Sequence, residues 1–175
     1  PRLIVANSES IETRVAEHTL DIGLIEAPSH QGNLQCEVCC EDELLAICAP
    51  GSPLAKHKEL TPQLLATHPF VSREPGSGTR EVTDNYFRVA GVPPESLNVV
   101  IELGSPEAIK GVVETGIGFA IVSRASVFKE KRLGDLLADR HHRVERGHRL
   151  LEDHRDLVAA HAAHLFFADL EKIAA

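Results

Sequence analysis

The 175-residue sequence predicts an α/β fold, and three observations carry that expectation. Short apolar runs at residues 3–5, 21–25, 70–72, 97–103 and 118–122 alternate with segments whose apolar residues recur at helical spacing. Two junctions rich in glycine and serine lead straight from a strand into a helix. A hydrophobic content of 43% suffices for one compact domain, or for two small lobes of one unit, with a real core.

Taken in order, residues 3–5 form a buried-type strand. Asn7-Ser8-Glu9-Ser10 starts a helix, with a capping residue and Glu9 in the first turn. Ile11, Val15 and Ala16 give that helix an apolar face, and residues 21–25 return as a strand. A helical crossover between two apolar strands predicts that they pair in parallel. Residues 28–33 form a loop. Leu34, Cys36, Val38 and Cys40 alternate as one face of a strand, and after the acidic step Glu41-Asp42-Glu43 a second strand covers 44–49. Thr61 caps a short helix at 62–66, with proline at its first position. Strand 70–72 then delivers Arg73-Glu74-Pro75-Gly76-Ser77-Gly78-Thr79-Arg80. The helix that follows, 81–90, turns Val82, Tyr86, Val89 and Ala90 inward and stops at Gly91 and Pro93-Pro94.

Strand 97–103 precedes Gly104-Ser105-Pro106-Glu107, where Ser105 caps, Pro106 takes the first helical position and Glu107 favours the dipole. That helix ends at Gly116, and strand 118–122 ends at Ser123-Arg124. Residues 125–138 read as helix broken at Gly134, 140–148 as strongly charged, 149–152 as a strand and 156–173 as an amphipathic helix.

The Gly76 to Arg80 stretch has a chemical consequence. The first turn of a helix presents unpartnered N–H groups and the positive end of its dipole. Gly76 and Gly78 allow close approach, Ser77 and Thr79 add hydroxyls, and Arg80 adds a fork suited to carboxylate, sulfate or phosphate. An anion site is expected; the plainer reading is a tight turn with a helix cap. No G-x-x-x-x-G-K-[ST] sequence is present to make a nucleotide loop.

Net charge is 18 − 26 = −8 with no basic stripe, so this chain is not expected to grip nucleic acid. No apolar run reaches the roughly 18 to 20 residues of a membrane span and no signal peptide opens the chain, so no membrane partner and a cytoplasmic location are expected. Pro1 and the lack of methionine read as a piece of a longer protein. Cys36, Cys39, Cys40 and Cys48 contain one C-x-x-C, but no second half of a zinc site follows, and core packing is the expected role. Of the ten histidines, His161 and His164 are spaced to share a metal, yet without an acidic or cysteine partner they read as solvent-facing. Neither a metal nor another cofactor is implied.

The order of these pieces resembles the effector-binding domain of the LysR-type transcriptional regulators. The resemblance rests on Leu20-Asp21-Ile22-Gly23-Leu24-Ile25, Glu43-Leu44-Leu45-Ala46-Ile47, Ser52-Pro53-Leu54-Ala55 and Leu60-Thr61-Pro62-Gln63-Leu64-Leu65. It continues through Pro69-Phe70-Val71, Gly76-Ser77-Gly78-Thr79-Arg80, Glu102-Leu103-Gly104-Ser105-Pro106-Glu107-Ala108-Ile109-Lys110 and the run from Val113 to Ser123, covering roughly residues 1 to 135. It implies a type 2 periplasmic-binding-protein-like fold: two Rossmann-like lobes joined by two crossover strands, with a small-molecule effector between them. Residues 47–122 would form one lobe and 1–46 with 123–175 the other, with crossings near 46–50 and 121–124. Carried over by position, the effector-binding residues are Ser8, Ser72, Ser77, Gly78, Thr79, Arg80, Gly104, Ser105 and Ser123. The family's domain has one further strand and helix ahead of the position of Pro1, and its winged helix-turn-helix lies further upstream.

The resemblance implies a non-enzymatic sensory domain of a bacterial transcription factor, binding a small anionic metabolite and working as a homodimer or homotetramer, with DNA contacted by the separate N-terminal domain. The wording of the Gly78 and Gly104 stretches is most similar to regulators of sulfur assimilation and carbon fixation, which implies a sulfur-containing or amino-acid-derived anion. The alternatives are a solute-binding receptor of the same fold and a thiol-dependent enzyme or redox sensor using Cys39 or Cys40.

Overall fold

The computed structural model describes residues 2–153. One six-stranded sheet runs through it in the order β1-β6-β2-β5-β3-β4, where β1 is Ile22–Ile25, β2 Leu34–Cys48, β3 Phe70–Arg73, β4 Val99–Leu103, β5 Phe119–Ser123 and β6 Leu137–Asp153. The helices are α1 Ser8–Ala16, α2 Pro62–Ala66, α3 Gly78–Val89, α4 Pro106–Glu114 and α5 Phe128–Leu133.

Parallel pairing is confined to one half. β3 lies parallel to both β4 and β5, joined by the α3 and α4 crossovers. β3 and β5 bury both faces, which is why they read as continuous apolar runs, whereas the edge strand β4 leaves Val99 and Val100 exposed. Phe70, Phe119 and Ile121 point to a core with Phe87 of α3 and Leu65 of α2, while Val71, Ala120 and Val122 point to a core with Ile109 and Val113 of α4. Phe70 and Phe119 stack with centroids 4.9 Å apart. The other half packs Ile11 and Val15 of α1 on Ile25, Leu34 and Leu151.

The halves share β2. Its final residues pair antiparallel with β5, from Leu44 opposite Ser123 to Cys48 opposite Phe119, while along most of its length it pairs with β6.

Val89 of α3, expected to face inward, is 81% exposed, and three expectations about the strands fail. Residues 3–5 are not a strand: Leu3 and Val5 are each 89% exposed, and β1 pairs antiparallel with β6. The predicted parallel partner is thus absent, because an apolar run becomes a strand only where a neighbour takes its backbone hydrogen bonds. Second, the acidic step does not divide β2. Glu41, Asp42 and Glu43 continue the ladder opposite Gly147, Arg146 and Glu145, and the only irregularities are register shifts between Val38 and Cys40 and between Leu45 and Ile47. Third, the alternation through Cys40 does not hold as a buried face. Leu34 is buried and Cys36 packs beside it, but Val38 and Cys40 are exposed; Cys48 is the fully buried cysteine. The terminal helix predicted for residues 156–173, with His161 and His164, lies outside the described residues.

The caps follow the sequence closely. Asn7 Oδ1 accepts from Ser10 N–H, Thr61 Oγ1 from Leu64 N–H and Ser105 Oγ from Ala108 N–H. Among the described residues, no helix is long and apolar enough to cross a membrane.

Candidate functional site

The Gly76 to Arg80 loop leaves β3 and starts α3 three residues earlier than the spacing predicts, at Gly78, with Ser77 as N-cap. Gly76 has φ +81°, a left-handed conformation that glycine adopts without strain. Gly78 has another reason to be glycine. A Cβ there would stand 3.0 Å from both Ala27 N and Glu26 C and 2.6 Å from Ser8 Oγ, so two backbone segments touch at this point.

The contact joins the two halves. Asn7 Nδ2 donates to the Pro75 carbonyl at 3.3 Å, Glu9 N–H to the Gly76 carbonyl at 3.1 Å, and Thr79 Oγ1 to Glu26 Oε2 at 2.7 Å. At the rim, His30 Nε2 meets the Glu81 carboxylate at 3.0 Å, and that hydrogen bond and charge raise the His30 pKa above its ordinary value.

On either side of the Gly78 contact lies a cavity. The smaller, about 400 Å³, is lined by Glu26, Arg73, Thr79, Pro106, Ile121, Val122, Ser123, Ala125 and Ser126. The larger, about 620 Å³, opens between α1 and α3 and takes in Ser8, Ser77 and Arg80.

The nine predicted site residues therefore do not converge on one place. Thr79 and Ser123 line the smaller cavity, whereas Ser8, Ser77 and Arg80 line the larger. Ser72, Gly78, Gly104 and Ser105 line neither. Ser72 is buried with its hydroxyl donating to the Arg73 carbonyl, and Ser105 is exposed as a cap.

Arg80 is not a fork awaiting an anion, because Nη1 donates to the Arg73 carbonyl at 3.1 Å and to Glu102 Oε1, and Nε lies 3.8 Å from Asp84. Ser8 Oγ accepts from Glu26 N–H at 3.4 Å, so that hydroxyl binds protein.

Sequence reasoning missed Glu26, Arg73, Pro106 and Ser126. Glu26 and Arg73 stand at or just past the carboxyl ends of β1 and β3, where ligands of α/β sheets collect, and that rule could have found them. Arg73 is bidentate to Glu74, with Nε at 2.8 Å and Nη2 at 3.1 Å. Burial pushes Glu74 up, but the Arg73 fork, its own backbone and the Asn7 amide together hold it below its ordinary value. Behind the cavity, Lys110 Nζ binds the Ser126 carbonyl at 2.7 Å and Glu130 Oε1 at 2.8 Å, fixing α4 against the turn after β5. No cluster of three or more His, Cys, Asp or Glu among the described residues is placed to hold a metal ion.

An α/β sheet whose two halves share long antiparallel strands, with a small cavity at their junction, is the architecture of a type 2 periplasmic-binding-protein-like domain. The chain belongs to the LysR substrate binding domain family, whose model matches residues 1–151. It is 39% identical over 134 residues to the HTH-type transcriptional regulator YeiE of Escherichia coli K12, covering 77% of this chain and 44% of that protein. It is 31% identical over 134 residues to the RuBisCO operon transcriptional regulator of Acidithiobacillus ferrooxidans, covering 77% of this chain and 42% of that one. The chain thus spans less than half the length of these relatives. Among solved structures, the regulatory domain of CcmR from Synechocystis PCC6803 in complex with 2-PG matches with a TM-score of 0.80 at 24% identity, over 94% of this chain and 79% of that one. The effector binding domain of QuiR in complex with shikimate matches with a TM-score of 0.74 at 16% identity, over 87% and 71%.

Proposed function

We propose that this chain is the sensing domain of a cytoplasmic LysR-type transcription factor. It is a binding module, not a catalyst, and takes a small anionic metabolite in the 400 Å³ cavity. Residues 47–122 act as one lobe and the flanking segments as the other, a division supported by the pairing of β2 with β5. DNA is read by a helix-turn-helix elsewhere in the whole protein, which works as a homodimer or homotetramer. The net charge of −8 keeps this domain itself off the duplex.

The observation that carries the reading is the hydrogen bond from Thr79 to Glu26, which joins one half to the other in the lining of the cavity. An anion entering the cavity meets the Glu26 carboxylate and the Arg73–Glu74 ion pair, and competes with Glu26 for the Thr79 hydroxyl. Taking that hydroxyl loosens one interlobe contact, which gives the ligand different affinities for two lobe arrangements and so a means of shifting between them. Shikimate and 2-PG, the ligands of the two structural neighbours, are small anions of the kind the cavity would hold.

Calorimetric titration with shikimate, 2-phosphoglycolate and sulfate tests this. Saturable binding of at least one, lost in Thr79→Val and kept in Ser77→Ala, is the expected result. Binding unchanged in Thr79→Val would remove the cavity from the reading.

A further inference from the structure

The wall of the effector cavity that follows β5 is a short turn, and its hydrogen bonds run in a chain. Ala125 N–H donates to Ser123 Oγ at 3.1 Å, and Ser126 Oγ donates to the Ser123 carbonyl at 2.8 Å. Ser123, Ala125 and Ser126 all line the cavity. A hydroxyl that accepts from an N–H keeps its own hydrogen, so Ser123 Oγ can still donate to an anion. Where that hydroxyl points depends on where Ser126 is held.

Ser126 is held from behind, by Lys110. Its Nζ donates to the Ser126 carbonyl at 2.7 Å, to Glu130 Oε1 at 2.8 Å and to Glu107 Oε1 at 2.8 Å, so each hydrogen of the ammonium has an acceptor. These acceptors belong to different walls. Glu107 follows Pro106, the first residue of α4 and itself part of the cavity lining, whereas Ser126 and Glu130 belong to the turn after β5 and to α5. The lysine side chain is only 5% exposed, so burial and three bonds fix its ammonium between them.

Stability alone does not account for this arrangement. A buried ion pair is often no more stabilising than apolar side chains filling the same volume, so such a pair could replace Lys110 and Glu130 at little cost. An apolar pair could not bind a backbone carbonyl. The Ser126 bond is what lysine adds here.

We propose that Lys110 is a positioning residue for effector binding: by tying the Ser126 carbonyl to the start of α4, it sets the direction of the Ser123 hydroxyl and the spacing of two cavity walls. This role rests on the effector reading of that cavity, and Lys110 itself touches no ligand. The physical gain is pre-organisation. With the turn already ordered, a ligand does not have to supply the free energy of ordering it on binding.

The test makes two measurements on the whole chain, amide hydrogen exchange without ligand and calorimetric titration with 2-phosphoglycolate. Lys110→Met with Glu130→Leu removes both charges and the Ser126 bond while keeping the core filled. Leu65→Ala is the stability reference, since Leu65 is buried in the core on the opposite face of the sheet. In the double variant, exchange at Ala125 and Val127 should quicken by about tenfold or more, with residues 120–122 of β5 unchanged. Its affinity for 2-phosphoglycolate should fall about fivefold or more, because the turn must then be ordered at the moment of binding. Leu65→Ala should lower the unfolding midpoint and keep wild-type affinity, which separates loss of position from loss of stability. Positioning by Lys110 is overturned if the double variant keeps wild-type exchange at 125 and 127, if it binds as wild type does, or if Leu65→Ala weakens binding as much. Should wild type not bind 2-phosphoglycolate, the effector reading loses that ligand; faster exchange in the double variant then still supports the hold of Lys110 on the turn, and unchanged exchange still overturns it.

Discussion

Replacing Lys110 by Met breaks a buried ion pair from one side. The lysine side chain is 5% exposed and its Nζ holds the Ser126 carbonyl at 2.7 Å, Glu130 Oε1 at 2.8 Å and Glu107 Oε1 at 2.8 Å. Glu107 is 76% exposed, so that contact is worth no more than about 1 kcal/mol. Glu130 is 12% exposed and its Oε2 already lacks a partner, so the substitution strands a buried carboxylate at a cost of about 3–5 kcal/mol. With a urea slope of about 1–3 kcal/mol per molar, the unfolding midpoint should fall by at least about 1 M. Removing both charges, in Lys110→Met with Glu130→Leu, should restore most of the loss, because a packed apolar pair is often no worse than the ion pair. A single variant costing under about 1 kcal/mol, or a double variant as unstable as the single, would refute the reasoning.

The pH dependence has a definite sign. Lys110 holds Glu130 below its ordinary pKa, so this contribution is present above the unfolded carboxylate pKa of about 4.3 and is lost as pH falls through the lowered folded value. For Lys110, burial pushes down but Glu107 and Glu130 carry it up, so its share is present below about 10.4 and lost as pH rises through the raised value. The gap between wild type and Lys110→Met should be flat between those limits.

Glu26→Gln keeps an acceptor for Thr79 but removes a charge from the effector cavity, and a tightening of anion binding by about 5- to 50-fold is expected in calorimetry; weaker binding would mean that Glu26 itself holds the ligand. NMR titration should place the His30 pKa above about 6.5, returning toward that value in Glu81→Gln. The stability the pair adds is present below the unfolded pKa and lost as pH rises through the raised one, and at 66% exposure of His30 it amounts to about 0.5 kcal/mol or less. A thiol reagent should modify exposed Cys40 rapidly and buried Cys48 only on unfolding, and uniform protection of all four cysteines would contradict the placement of β2.

What the sequence determined by itself is local. Helix caps at Asn7, Thr61 and Ser105, the glycine turn at Gly76 and the twice-buried strands at Phe70 and Phe119 are written in a few adjacent residues, because capping and strand alternation act over one or two turns of chain. Even there, residues 3–5 show that an apolar run is not a strand without a neighbour.

Tertiary structure decided the rest. Thr79 and Ser77 are two residues apart, yet the approach of the Glu26-Ala27 backbone to Gly78 sends them into different cavities. Arg80 looks like a free fork until β4 brings Glu102 against it, and Glu26 looks like an ordinary strand-end acid until α3 brings it Thr79. The partner that spends a side chain lies 22 residues away in one case and 53 in the other, and only packing places it.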